Sequence, residues 1–286
     1  MALTTNITRF LGHSIVVGLI LAALGATAAA QPVAIVTDVQ GAASYGNAAA
    51  NPLAILSPLN IGDSVRLAAG ARLAMLFYAD GAQFEARGPG TVLLDAARPK
   101  SADGAIVEPR QMAGGSGVRL KSGGLVQGAL VMRNVSLRVV APDALVLSTQ
   151  PELAWTDSRS EASYDVALFD ATGARVFETT THTRSVTLPE SVKLAADQSY
   201  ALQVSARLRG AQVQTARAEF TVASEALRTQ AQKLAPKAAD APVAEKVAYA
   251  LWLDQNDLRD EAKKWWSALA RERPEQSGLR ERAGTR

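Results

Sequence analysis

Apolar and polar positions alternate with a period of two through most of this chain, and the period changes to 3.6 only after Ser224. From about Val33 to Val140 the pattern predicts short strands joined by glycine-containing turns. Ala34–Val39 and Ser64–Leu67 read as strands, the second introduced by Ile61-Gly62-Asp63. In Arg72–Tyr78, Leu73, Met75 and Phe77 fall on one face and Ala74, Leu76 and Tyr78 on the other. Both faces are apolar, which predicts a strand covered on both sides. Asp80-Gly81 follows as a hairpin turn, with Gln83–Arg87 as its return strand. Gly88-Pro89-Gly90 turns the chain into Thr91–Leu94.

The segment Pro99–Gly128 holds seven glycines and reads as irregular turns between weak strands, such as Gly117–Leu120 and Leu125–Met132. Gly114–Gly117 is not followed by the Lys-Ser/Thr of a phosphate-binding loop, so no nucleotide site is expected there. A second strand-rich region runs from about Ala141 to Val222. Ser163–Phe169 alternates, with Tyr164, Val166 and Leu168 on one face. Tyr200–Leu208 alternates throughout: Tyr200, Leu202, Val204, Ala206 and Leu208 face a core, and Gln203, Ser205 and Arg207 face water.

After Ser224, which reads as an N-cap, Glu225–Leu234 reads as a helix ending near Pro236. Pro242 opens a second helix to about Leu253, with Val243, Val247, Ala250 and Leu251 on its apolar stripe. Asp257 is positioned to cap a third helix, whose stripe is Ala262, Trp265, Trp266 and Leu269 and which ends before Pro274. Gln276–Arg286 reads as a frayed, basic tail. The expected fold class is therefore mainly β: a β domain over residues 31–140, a β-sandwich over 141–223, a helical hairpin over 224–274 and a flexible tail over 275–286.

The first thirty residues read differently. Arg9 precedes an apolar run from Ile15 to Leu24, and small residues lead to Ala30 before Gln31-Pro32. This is the layout of a secretory signal cleaved after Ala30, and it predicts export to a bacterial periplasm. If the segment stays attached, it would act as an inner-membrane anchor.

Composition narrows the chemistry. The 286 residues are 48% hydrophobic and 20% charged, enough apolar material for a sizeable core. With no cysteine, the chain has no disulfide, thiolate–metal site or thiol nucleophile. Thirty basic residues against 27 acidic ones, without a clear basic cluster, argue against nucleic acid as a partner.

The turn residues of the first region resemble those of the FecR-type periplasmic domain. The shared pattern is Val39-Gln40-Gly41, Pro58–Val65, Ala71–Phe77, Asp80-Gly81 and Gly88–Gly90. The resemblance covers about a fifth to a quarter of the chain. It implies a β domain and a place in envelope signalling, where known members relay signals to a cytoplasmic sigma factor. Only a short segment precedes Ile15, so a sigma-binding domain is not expected there. The second region is similar to fibronectin type III and related bacterial immunoglobulin-like domains, in its early Trp155 and its late Tyr200-led strand. The helical pair, with Ala262, Trp266, Leu269 and Pro274, is similar to a single tetratricopeptide repeat. One such repeat cannot bury its own face, and Glu225–Leu234 is placed to supply part of the cover.

No constellation for catalysis stands out. His182 lies in a run of threonines without partners for a triad, and no G-x-S-x-G elbow occurs. Asp157, Glu161 and Asp165 lack the spacing of a calcium loop, and they read best as solvated turn charges. Their use as a hydrolase carboxylate pair is the less favoured alternative. The reading is thus a non-catalytic envelope binding or scaffold protein without a cofactor or bound metal. Its partner is an envelope protein or a cell-wall polysaccharide. The candidate contact residues are Asp80, Gly81 and Phe84 at the hairpin, and Trp252 and Trp265 in the helices. Trp266 is read as core.

Overall fold

The computed structural model describes residues 32–46, 51–111, 118–120, 136–238 and 240–284. The leader reading of Met1–Ala30, the Gly114–Gly117 loop and the strand expected at Leu125–Met132 lie outside these residues. The chain is mainly β with a small helical part at its C-terminal end.

The first region contributes β1 (Pro32–Gln40), β2 (Ala43–Tyr45), β3 (Pro58–Asn60), β4 (Ser64–Leu67), β5 (Arg72–Phe77), β6 (Gln83–Arg87), β7 (Gly90–Leu94), β8 (Pro99–Asp103) and β9 (Ile106–Arg110). They form two antiparallel sheets, ordered β3-β1-β5-β6-β9 and β2-β4-β7-β8. β5 and β6 make the expected hairpin, and Gly88–Gly90 carries the chain from the first sheet to the second. As the sequence predicts, every residue from Leu73 to Phe77 is buried. Val118 and Leu120 are also buried, but in a segment that is neither helix nor strand, unlike the weak strand expected there.

The second region adds β10 (Leu137–Ala141), β11 (Leu145–Val146), β12 (Glu152–Asp157), β13 (Ser163–Asp170), β14 (Arg175–Thr181), β15 (Ser185–Thr187), β16 (Ser199–Leu208) and β17 (Ala211–Val222). Their sheets run β10-β12-β15 and β11-β17-β16-β13-β14, and between them lies a separate core. Trp155 packs edge-on against Tyr164 there, with ring centroids 5.3 Å apart. The Tyr200 hydroxyl accepts from the Ala195 backbone N–H at 2.9 Å, tying the preceding loop to the start of β16.

Four helices follow: α1 (Glu225–Leu234), α2 (Val243–Gln255), α3 (Arg259–Glu272) and α4 (Ser277–Ala283). Ser224 caps α1 through its hydroxyl, which accepts from the Leu227 N–H at 3.1 Å. Asp257 does not cap α3. Leu258 takes that position without a side-chain bond, and Asp257 adopts a φ of 57°. The expected tail instead holds α4, because Leu279 and Ala283 are buried and Gly284 closes the helix in the left-handed conformation.

Helix α2 has no solvent face along Val243–Leu253, where the sequence predicted a single stripe. It lies against α3 on one side and against β1 and β5 on another. Its charged residues are paired accordingly. Glu245 lies 3.9 Å from Arg110, and Lys246 lies 2.8 Å from Glu272. Residues of the first β region and of α1–α4 thus share one hydrophobic core, although β10–β17 lie between them in sequence. This is how the helical hairpin buries the face that a lone repeat would leave open. It also explains why β5 is apolar on both faces.

Candidate functional site

An open groove of about 480 Å³ lies on the outer face of the β2-β4-β7-β8 sheet. Its floor follows from strand alternation. In β4, Val65 and Leu67 point into the core, which turns Arg66 outward; in β7, Val92 and Leu94 do the same for Thr91. Register then aligns four outward residues in one row. Ser44 pairs with Arg66, Arg66 with Thr91, and Thr91 with Asp103. All four line the groove, so a hydroxyl, a guanidinium, a hydroxyl and a carboxylate cross its floor on successive strands. Arg66 and Asp103 are exposed, and neither has an ion-pair partner among the described residues.

Pro52, Leu53 and Pro89 form the apolar rim. Pro89 is held there by Gly90, whose φ is 151° and where a Cβ would sit 2.1 Å from both Ala105 N and Asp103 O. The 51–57 loop that carries Pro52 and Leu53 is fixed at several points. The Leu53 N–H donates to Ala43 O at 2.9 Å and the Leu56 N–H to Val36 O at 2.9 Å. The Tyr45 hydroxyl donates to Pro58 O at 2.6 Å. From the residue that precedes α4, Gln276 Oε1 accepts the Ile55 N–H at 3.0 Å. The groove is therefore built on strands and a tethered loop, which favours binding without prior ordering.

The residues expected at the hairpin lie elsewhere and have local roles. Asp80 is exposed, and its Oδ1 accepts the Ala82 N–H at 2.8 Å within the turn. Gly81, with φ of 74°, is buried against Val118, where a Cβ would come within 2.2 Å of the carbonyl oxygen. Phe84 is half-buried, edge-on to Phe77 at 5.4 Å.

Of the helical candidates, Trp252 is only 3% exposed, so it is a core residue and not a contact residue. It stacks on Tyr249 at 6.1 Å, and half-buried Trp265 meets Tyr249 edge-on at 5.2 Å. Burial pushes the Tyr249 phenol up to about 12, with Glu261 adding to the effect. Trp266 is buried, as expected, and its indole N–H donates to Asp254 Oδ2 at 2.9 Å. Burial raises the Asp254 carboxyl above its ordinary value despite this bond and Arg282 at 3.3 Å.

The carboxylates weighed for hydrolysis are not brought together as a pair. Asp157 is buried at the end of β12, clasped by Arg159 at 2.9 Å. Burial alone would push its carboxyl up, but the Arg159 guanidinium and backbone N–H hold it below the ordinary value. Asp165 lies in the other sheet, 2.6 Å from Arg207, and Glu161 is exposed. His182 is exposed in the turn after β14. Among the described residues, no group of three or more His, Asp or Glu side chains is placed to hold a metal ion. No helix among them is long and apolar enough to cross a membrane.

The sequence reading missed the groove. Its only sequence signal was the polar position within each of several short strands, and register, which aligns them, is a property of the fold.

No protein-family model and no curated protein matches the sequence. Solved structures match it in part. Latent PorU from Porphyromonas gingivalis has 12% identity and a TM-score of 0.26 over 71% of this chain and 17% of that one. The BSP domain of a biofilm-associated protein has 11% identity and a TM-score of 0.22, over 68% and 28%. A β-glucuronidase from Parabacteroides merdae has 12% identity and a TM-score of 0.23, over 30% and 14%. The chain spans less than a third of each of these structures, and similarities this slight assign it no family.

Proposed function

We propose that this chain is an exported, non-catalytic binding or scaffold protein of the bacterial envelope. In this reading its FecR-like β domain presents the groove, and its immunoglobulin-like sandwich serves as a platform or spacer. The strand order of the second region and the Tyr200–Ala195 tether support the immunoglobulin-like assignment. The charge and apolar layout of Met1–Ala30 supports export.

The observation that carries the binding role is the cross-strand row Ser44, Arg66, Thr91 and Asp103, set outward on paired strands between apolar rims. These are recognition groups on a rigid support, and the guanidinium has no ion-pair partner among the described residues.

The test is retention of the full chain on a washed envelope fraction. Arg66→Gln is expected to release it into the wash, whereas Arg217→Gln, an equal charge change on the outer face of β17, leaves it bound. Equal retention of both variants would refute the binding face. Mass measurement of the envelope-bound chain tests export, with loss of Met1–Ala30 expected.

A cell-wall polysaccharide is the second reading of the partner. The row favours it because hydroxyls, a carboxylate and a guanidinium are groups that bind sugar hydroxyls and acids.

A further inference from the structure

We infer that the groove takes a carboxylate-bearing glycan, with the sugar acid on Arg66 and ring hydroxyls toward Asp103. The inference rests on the binding reading above and gives it a ligand class.

Three features of the site lead there. The first is that the floor is a sheet face centred on β4 and β7, the two inner strands. The backbone groups of Ser44, Arg66, Thr91 and Asp103 lie in paired strands, so recognition falls to side chains. An extended peptide gains much of its affinity from main-chain bonds to a free strand edge, and Arg66 and Thr91 lie on β4 and β7, which are paired on both sides.

The second feature is the order of the groups. Arg66 and Thr91 sit on the two central strands, flanked by Ser44 on β2 and Asp103 on β8. At the usual strand spacing of about 4.8 Å the row extends about 14 Å. A fork of N–H donors near its middle fits a carboxylate in bidentate fashion. The hydroxyls of Ser44 and Thr91 both donate and accept, and the Asp103 carboxylate only accepts. A ligand matching this order carries one acid among several hydroxyls. A polyanion without free hydroxyls would instead meet Asp103 as a repelling charge.

The third feature is what the groove lacks. No aromatic residue lines it among the described residues. A neutral sugar would therefore have no ring to stack on, and only the small apolar surfaces of Pro52, Leu53 and Pro89 to rest against. Charge has to supply the affinity, and Arg66, which has no ion-pair partner among the described residues, is its source.

The experiment is calorimetric titration of the full chain with tetragalacturonate, its methyl ester, dextran, wall glycan strands freed of stem peptides, and the stem peptide alone. Tetragalacturonate is expected to bind, with the methyl ester and dextran at least tenfold weaker. Binding by the stripped glycan strands as well would identify the cell wall as a source; binding by tetragalacturonate alone would point to a free acidic polysaccharide.

Arg66→Gln is expected to weaken binding at least tenfold, and Asp103→Asn several-fold. Both residues are exposed, so the melting temperature of each variant should stay at that of the parent. Equal binding of the acid and its methyl ester overturns the inference, as does indifference to Arg66→Gln. Arg66-dependent binding of the stem peptide alone overturns it in favour of a peptide ligand. If no glycan binds while Arg66 still governs retention on the envelope, this inference falls and the binding reading stands.

Discussion

Gln276 Oε1 accepts the Ile55 backbone N–H at 3.0 Å, across 221 residues of sequence. The bond ties the segment leading into α4 to the loop that carries one rim of the groove. The contact is close, for a Cβ at Gly278 would lie 3.5 Å from Ile55 O. Gln276→Ala should speed hydrogen exchange at the Ile55 amide about fivefold, the equivalent of one hydrogen bond of about 1 kcal/mol. Gln276→Glu keeps an acceptor and should restore much of the protection. Unchanged exchange in the Ala variant would mean that the loop is held without α4.

Trp266, in the shared core, donates to half-buried Asp254 at its margin and so joins α3 to α2. Trp266→Ala should cost about 3–5 kcal/mol in chemical denaturation, as for other large buried rings. A loss below about 1 kcal/mol would contradict its burial. The Asp254 carboxyl is raised above 3.8 in the folded chain. A raised carboxyl contributes its stability fully below that ordinary value and loses it as pH rises through the folded value. Asp254→Asn keeps an acceptor for the indole and does not ionise. Its stability relative to the parent should therefore rise as pH increases from about 4 toward neutrality. A pH-independent difference in urea unfolding would contradict this.

Asp157 behaves in the opposite sense. Its carboxyl is held below 3.8, so its contribution is present above that value and lost as pH falls through the folded one. Arg159→Ala leaves the buried carboxylate short of a partner. It should cost about 1–3 kcal/mol at neutral pH, less in acid. Hydrogen exchange at the β13 and β16 amides, which line this core, reports on it. A cost that grows in acid would reverse the assignment.

Gly81 is required by the β5–β6 hairpin for two reasons, its φ of 74° and the 2.2 Å approach to Val118 O. Gly81→Ala should cost about 2 kcal/mol or more. Gly173→Ala, at φ of 84° with open space around it, should cost only about 1 kcal/mol. Thermal melts of the pair separate backbone preference from steric collision.

Local chemistry made much of the fold readable from sequence. The Asp80-Gly81 turn and the Ser224 cap each act within a few residues and appear where expected. In Tyr200–Leu208 the core positions from Tyr200 to Ala206 hold, but Ser205, expected to face water, is buried and Leu208 is only half-buried. Long-range relations were not readable. Nothing near Val243–Leu253 announces that a β-sheet from the other end of the chain covers it, so a one-sided stripe was expected and an enclosed helix is found. The same missing relation makes Trp252 read as a surface aromatic from sequence, whereas it is buried. Leu279 and Ala283 in a short basic segment gave too little pattern to predict α4. The groove row needed the register of four strands, and single-strand alternation cannot supply that.

The binding face is the central claim, and site-specific photo-crosslinking in the native envelope tests it most directly. A photoreactive residue at Thr91, on the groove floor, should yield adducts with an envelope component that ultraviolet light alone does not produce. The same residue at Gln203, on the outer face of β16, should yield few or none. Adducts at Gln203 without adducts at Thr91 would contradict the account.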